Sequence, residues 1–129
     1  MILASSREAR DRPRDRERLA RIMLRSRERR KHSFPSVIFG EPGWDMILQL
    51  YVACCAGEVI DVSGLCGCAG VSKTTALRHL DRLVAQQLVE RRGDSADGRR
   101  IFVQPSKALL EQTEQWLDGA ILSLDIGSS

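Results

Sequence analysis

Between Ser72 and Arg82 the chain reads SKTTALRHLDR, and the groups there with chemistry to offer are hydroxyls and cations. At helical spacing Ser72, Lys73, Thr74, Thr75, Arg78, His79 and Arg82 lie away from an apolar stripe of Ala76, Leu77, Leu80, Leu83 and Val84. An arginine such as Arg78 can give two hydrogen bonds to a guanine edge, and Thr74 and Thr75 can meet a base edge or a thymine methyl. Lys73 and Arg82 suit phosphates, and His79 suits a phosphate contact better than a metal. A second cationic pair, Arg99 and Arg100, follows the turn residues Asp94, Asp97 and Gly98. One of these arginines is expected to project toward a minor groove, where the potential is most negative, and the other to pair with Asp94 or Asp97. A solvated helix and an ordinary exposed hairpin are the plainer alternatives for each segment taken alone.

Other chemistry is thin. No paired acid and base, no nucleophile beside a general base and no phosphate-cradling glycine loop is present, so the sequence does not read as an enzyme. Cys54, Cys55, Cys66 and Cys68 fall in apolar helical patterns without Cys-x2-Cys zinc spacing. Reduced thiols acting as small hydrophobes are expected, with redox control through Cys66 and Cys68 as the alternative and with no metal or other cofactor.

These cationic groups need elements to present them. Ser72 has the character of an N-cap, and Gly70-Val71 before it separates this helix from a shorter one through Leu65, Cys66 and Ala69, itself expected to be capped by Ser63. Leu88 to Arg92 and Arg99 to Val103 read as strands joined by a polar turn, and Val59 to Val62 as a short extended run. Trp44, Ile47, Leu48, Tyr51, Val52 and Cys55 form an amphipathic stripe that Gly57 ends. Pro13 suits the first turn of a helix running to about Lys31.

The expected fold is mainly α with a small β-hairpin wing, a winged helix-turn-helix with N- and C-terminal dimerisation helices. Its parts are a disordered basic arm (1–12), an Arg-rich helix and connecting loop (13–43), the winged helix-turn-helix (44–105), and a C-terminal dimerisation helix and tail (106–129). Leu19, Ile22 and Met23 near the start, with Leu109, Trp116, Leu117, Ala120, Ile121 and Leu124 near the end, form apolar seams read as partly intersubunit.

The 129 residues suffice for one domain, and 43% hydrophobic with 29% charged residues is ordinary for a globular protein. The overall charge of +3 conceals an uneven distribution. Residues 1–32 carry twelve bases against five acids, a net +7, which leaves −4 for the remainder. Such local basicity points to an anionic partner such as nucleic acid, or to a solvated helix face with i,i+4 pairs such as Glu17–Arg21. No apolar run reaches the roughly 18 residues of a membrane span, and no export signal is apparent, so a cytoplasmic location is expected.

Taken in order, Val71-Ser-Lys-Thr-Thr-Ala-Leu-Arg-His-Leu-Asp-Arg-Leu, Leu88-Val-Glu-Arg-Arg and Asp94-Ser-Ala-Asp-Gly-Arg-Arg resemble the MarR family of bacterial transcriptional regulators over about Trp44 to Leu124. The resemblance implies a homodimer on double-stranded DNA at a near-palindromic operator, with terminal helices packed between subunits. It assigns Ser72, Lys73, Thr74, Thr75, Arg78 and His79 to the recognition helix, and Asp97, Arg99 and Arg100 to the wing. Two departures stand out: the chain has a single short C-terminal helix, and Gln104-Pro-Ser-Lys-Ala replaces the family's junction after the wing. The resemblance leaves open whether a small-molecule effector exists. Competing readings are a winged-helix adaptor for protein interactions and a plasmid or phage replication module.

Overall fold

The computed structural model describes residues 2–36 and 41–128, with side chains described for 13–36 and 41–124. Five helices and three short strands follow one another as α1 (Ile2–Ser33), α2 (Pro42–Cys55), β1 (Ile60–Asp61), α3 (Val62–Gly67), α4 (Lys73–Ala85), β2 (Val89–Gly93), β3 (Ile101–Pro105) and α5 (Lys107–Ser128). No helix among the described residues is long and apolar enough to cross a membrane.

The central piece is α2, which divides the interior. Pro42 opens it at a position where a missing N–H costs nothing, and Gly57, at φ 68, turns the chain out after its end. Met46 and Leu50 face a core built with Leu65, Cys66, Ala76, Leu80, Val89, Val103 and Leu109. Leu48 and Tyr51, on the other side, meet Ala20 of α1 and Leu117 of α5. Helix α2 therefore fastens the half that carries α3, α4 and the hairpin to the two long helices. Each fully hidden Leu or Met here contributes about 1.5–3 kcal/mol through removal of apolar surface from water.

Helices α3 and α4 are joined by a turn in which Gly70 takes φ 72. That conformation is open to glycine at little steric cost. Both helices are capped. Ser72 Oγ accepts from Thr75 N at 3.2 Å at the start of α4, as its sequence position suggested. At α3 the cap is Asp61, whose Oδ1 accepts from Gly64 N at 2.7 Å, and not Ser63. The helix starts two residues early because a carboxylate is available on the preceding strand to satisfy its free N–H groups.

The sheet has the order β1-β3-β2, antiparallel throughout. The expected hairpin is present as β2 and β3, with Arg91 opposite Val103 and Gly93 opposite Ile101. The extended run near Ile60 adds a third strand, pairing Ile60 with Val103. Ser106 Oγ caps α5 by accepting from Leu109 N at 3.1 Å.

Two expectations change. Helix α1 begins at Ile2, so Pro13 lies inside the helix and the backbone of the arm expected to be disordered is helical. The side chains of that arm lie outside the described residues. Leu109 and Leu117, assigned to an intersubunit seam, are 3% and 0% exposed within the single chain. They are consumed by contacts with the two cores, which a stripe seen in sequence cannot distinguish from a partner's surface.

Candidate nucleic-acid interface

Helix α4 buries Ala76, Leu80 and Leu83 and turns its other side outward. Given 100° per residue, Thr74, Arg78 and Arg82 fall about 40° apart opposite that buried edge, and all three are exposed. Lys73 and Ser72 are exposed at its N-terminus. Thr75 is half-buried and its Oγ1 accepts from Ser72 Oγ at 2.9 Å, so both hydroxyls serve the cap. His79 does not share the outward face. It is half-buried, with Nδ1 3.8 Å from where a Cβ on Gly43 would stand, because its azimuth carries it against the start of α2.

The wing is shaped by its acids. Asp94 Oδ1 accepts from Ala96 N at 2.8 Å and Asp97 Oδ1 accepts from Arg99 N at 3.1 Å. Backbone bonds from Asp94 N to Arg100 O and from Arg100 N to Asp97 O, both 3.0 Å, close the turn. The expected pairing of Arg99 or Arg100 with Asp94 or Asp97 is not what forms. Arg100 instead reaches back to Asp61, Nε to Oδ2 at 3.2 Å, with its guanidinium 5.1 Å from the centre of the Phe102 ring. The side chains of Asp94 and Asp97 are already committed to turn N–H groups. Arg99 is left exposed at the tip.

Asp61 is thus the residue that sequence reasoning missed. One oxygen caps α3 and the other holds Arg100, so the wing and the helix-turn-helix share a carboxylate. The Gly64 N–H and Arg100 together hold that carboxyl below its usual range. Its sequence signal was an acid directly before a short helix, which Ser63 obscured. A second brace was also unforeseen: Arg91 on β2 pairs with Asp81 on α4, which removes the one acid on the outward side of the helix from play.

A third pair ties α1 to α2. Asp45 is 2% exposed, and Arg27 Nε lies 2.7 Å from its Oδ1, although neither carboxylate oxygen accepts a well-aligned hydrogen bond. Burial pushes the Asp45 carboxyl up, with Arg27 and Lys31 opposing the shift. The Lys31 ammonium itself rests over Gly70, where an added methyl would collide with it. The C-terminal part of α1 therefore touches the turn between α3 and α4.

The cysteines are all free. Cys66 is buried in the core, where desolvation pushes its thiol up, and Cys68 is exposed. Cys55, expected on an apolar face, is an exposed residue beside Tyr51, and partial burial of its sulfur still raises its pKa. Among the described residues no group of three or more His, Cys, Asp or Glu side chains is placed to hold a metal.

The sequence profile of the MarR family matches residues 55–100, from the end of α2 through the wing turn. No curated protein matches the sequence. Among solved structures, the Staphylococcus aureus MepR–DNA complex aligns with a TM-score of 0.54 at 16% identity, covering 85% of this chain and 86% of that one. MepR in a DNA-binding conformation gives 0.54 at 15% identity, covering 86% and 79%. A zinc-responsive MarR family member, Lactococcus lactis ZitR, gives 0.51 at 14% identity, covering 72% of this chain, which spans 61% of the ZitR chain. At these identities the structural likeness establishes the fold. Together with the profile match over residues 55–100, it shows a winged helix-turn-helix similar to that of the MarR family.

Proposed function

We propose that the chain is a sequence-specific DNA-binding transcriptional regulator of MarR type, without enzymatic activity, acting as a homodimer on a near-palindromic operator. The observation that carries this reading is the outward row Thr74, Arg78 and Arg82 on a capped helix, flanked by Lys73, with Arg99 exposed on a braced wing. A helix of that kind enters a major groove by its N-terminal end, while the wing approaches the neighbouring minor groove. Arg78 would read a base, and Lys73, Arg82 and Arg99 would hold phosphates or the groove wall. The MepR structure bound to DNA has the same fold and lends the reading its precedent.

Support for a dimer comes from apolar surface left on the long helices. Ile22, Trp116, Leu122 and Leu124 are 47%, 49%, 61% and 62% exposed. A cleft of about 260 Å³ between Leu19 and Ile22 of α1 and Ile121 and Leu124 of α5 adjoins them. A second copy would cover this surface and set two recognition helices about one helical turn of DNA apart, roughly 34 Å.

Selection of bound duplexes from a random pool at fixed salt, with oligomeric state measured on the same sample, tests the reading. A two-fold symmetric motif and a dimer are expected, and absence of enrichment overturns it. Arg78→Ala should then cost about 1–3 kcal/mol on the selected site and relax one base position. Equal losses on selected and random DNA would remove Arg78 from base reading.

A further inference from the structure

Helix α1 has two long sides, and only one is accounted for by the fold. Arg16, Ala20, Met23, Arg27 and Lys31, spaced 4, 3, 4 and 4, are buried or half-buried. Arg16 is locked to Asp118 by two hydrogen bonds of 2.8 Å and to Glu114 at 3.3 Å, Arg27 holds Asp45, and Lys31 sits over Gly70. These cations are structural. Two residues earlier in register, with the same spacing, stand Arg14, Arg18, Arg21, Arg25 and Arg29, all exposed. At 3.6 residues per turn they lie within a sector of about 80° on the far side of the helix, along a length of roughly 22 Å.

An ordinary solvated helix would neutralise such a row with i,i+4 carboxylates. Here that happens once, with Arg21 Nε 2.9 Å from Glu17. Glu28 leans toward Lys31 and His32, and Glu41 toward Arg27. No ion pair is formed by Arg14, Arg18, Arg25 or Arg29 with any carboxylate among the described residues.

We infer that this outer face of α1 is a second nucleic-acid-binding surface, one that grips the phosphate backbone of a duplex without reading its sequence. Three observations choose this occupant. The row is all arginine with no lysine, and guanidinium groups match phosphate oxygens through paired N–H donors. A membrane surface would require an apolar face free to enter lipid, whereas Leu19, Ala20, Met23 and Leu24 are packed in the core shared with α2 and α5, which leaves Ile22 as the one large hydrophobic exposed among the described residues of α1. Of the row only Arg18 lines the apolar cleft assigned to a second copy, and setting the whole row against its own copy would bring like charges together. The inference stands apart from base reading by α4, because it involves a different element and needs no particular sequence.

The test uses Arg14→Gln/Arg18→Gln/Arg25→Gln/Arg29→Gln on the full chain, with the corresponding four Arg→Lys changes as the charge-retaining control. Binding to a random-sequence duplex is followed as a function of salt, in the wild-type background and with Lys73→Ala/Arg78→Ala. Each phosphate neutralised contributes about 0.9 to the slope of log K against log salt, so the Gln variant should be shallower by about 3–4 in both backgrounds. The Lys variant should restore most of it, and circular dichroism should be unchanged. A slope change below about 1, or a change seen only when α4 is intact, overturns the inference. So does loss of binding to polyglutamate or to phosphatidylserine vesicles with duplex binding unaffected. Failure to enrich any operator would leave this result unaltered, so the two readings fail separately.

Discussion

Removing Arg27 should expose how α1 is held. Arg27→Met keeps the length and apolar stem of the side chain but leaves the Asp45 carboxylate, 2% exposed, facing no guanidinium. Breaking a buried pair from one side costs about 3–5 kcal/mol, a large part of the roughly 5–15 kcal/mol that holds a domain of this size. Asp45→Asn should cost much less, because it also abolishes the burial penalty that dominates the carboxyl's upward shift, and Arg27 retains Glu41 at 3.9 Å.

The sign of the pH dependence separates this mechanism from simple lost packing. An acid whose folded pKa is raised binds its proton more tightly in the native state. Its destabilising contribution is absent below the unfolded value of 3.8 and grows as pH rises through the folded one. Without Arg27 the folded pKa moves higher still, so the deficit of Arg27→Met should be largest at pH 7 and shrink toward pH 4. Urea unfolding of wild type, both single variants and the double variant at several pH values measures this. A loss below about 1 kcal/mol, or one that is the same at all pH values, refutes the account. So does a double variant no more stable than Arg27→Met.

Asp61→Ala should lower the melting temperature by removing the α3 cap and releasing Arg100 together. In the wild type the stabilisation from this carboxylate is present above its unfolded pKa of 3.8 and is lost as pH falls through its lower folded value. A melting-temperature difference between the two proteins that does not narrow on acidification would contradict this. Gln87, which follows α4 at φ 61, occupies a left-handed conformation that costs a side chain about 1–2 kcal/mol. Gln87→Gly should therefore raise stability by about 0.5–1 kcal/mol after the entropy cost of glycine, and a lower urea midpoint would exclude it.

Local patterns were legible wherever one residue type does one job. Ser72 before an apolar stripe and Gly57 and Gly70 at turns all appear where their chemistry placed them, and the wing strands follow within two residues. Groups that act between elements were not legible. Arg100 projects toward a groove or folds back on Asp61 according to where a strand 39 residues earlier happens to lie. His79 looked outward because one turn of helix does not reveal that α2 begins beside it. Leu109 and Leu117 read as a seam since a helical stripe records that it is covered, not by what. Among arginines of α1, the split between Arg16 and Arg27 on one side and Arg14 and Arg18 on the other follows helical spacing, yet only the positions of Asp118 and Asp45 show which side is inward.

The chain has two tryptophans, and both are at one place. Trp44 of α2 and Trp116 of α5 meet edge to face, ring centres 4.8 Å apart and planes at 67°. Intrinsic fluorescence is therefore a reporter of a single junction, where the winged half joins the last helix, and is silent about the wing. Trp116 is also half exposed beside the apolar surface assigned to a second copy. Dilution through dimer dissociation should redden its emission, whereas opening of the hairpin alone should leave the spectrum still.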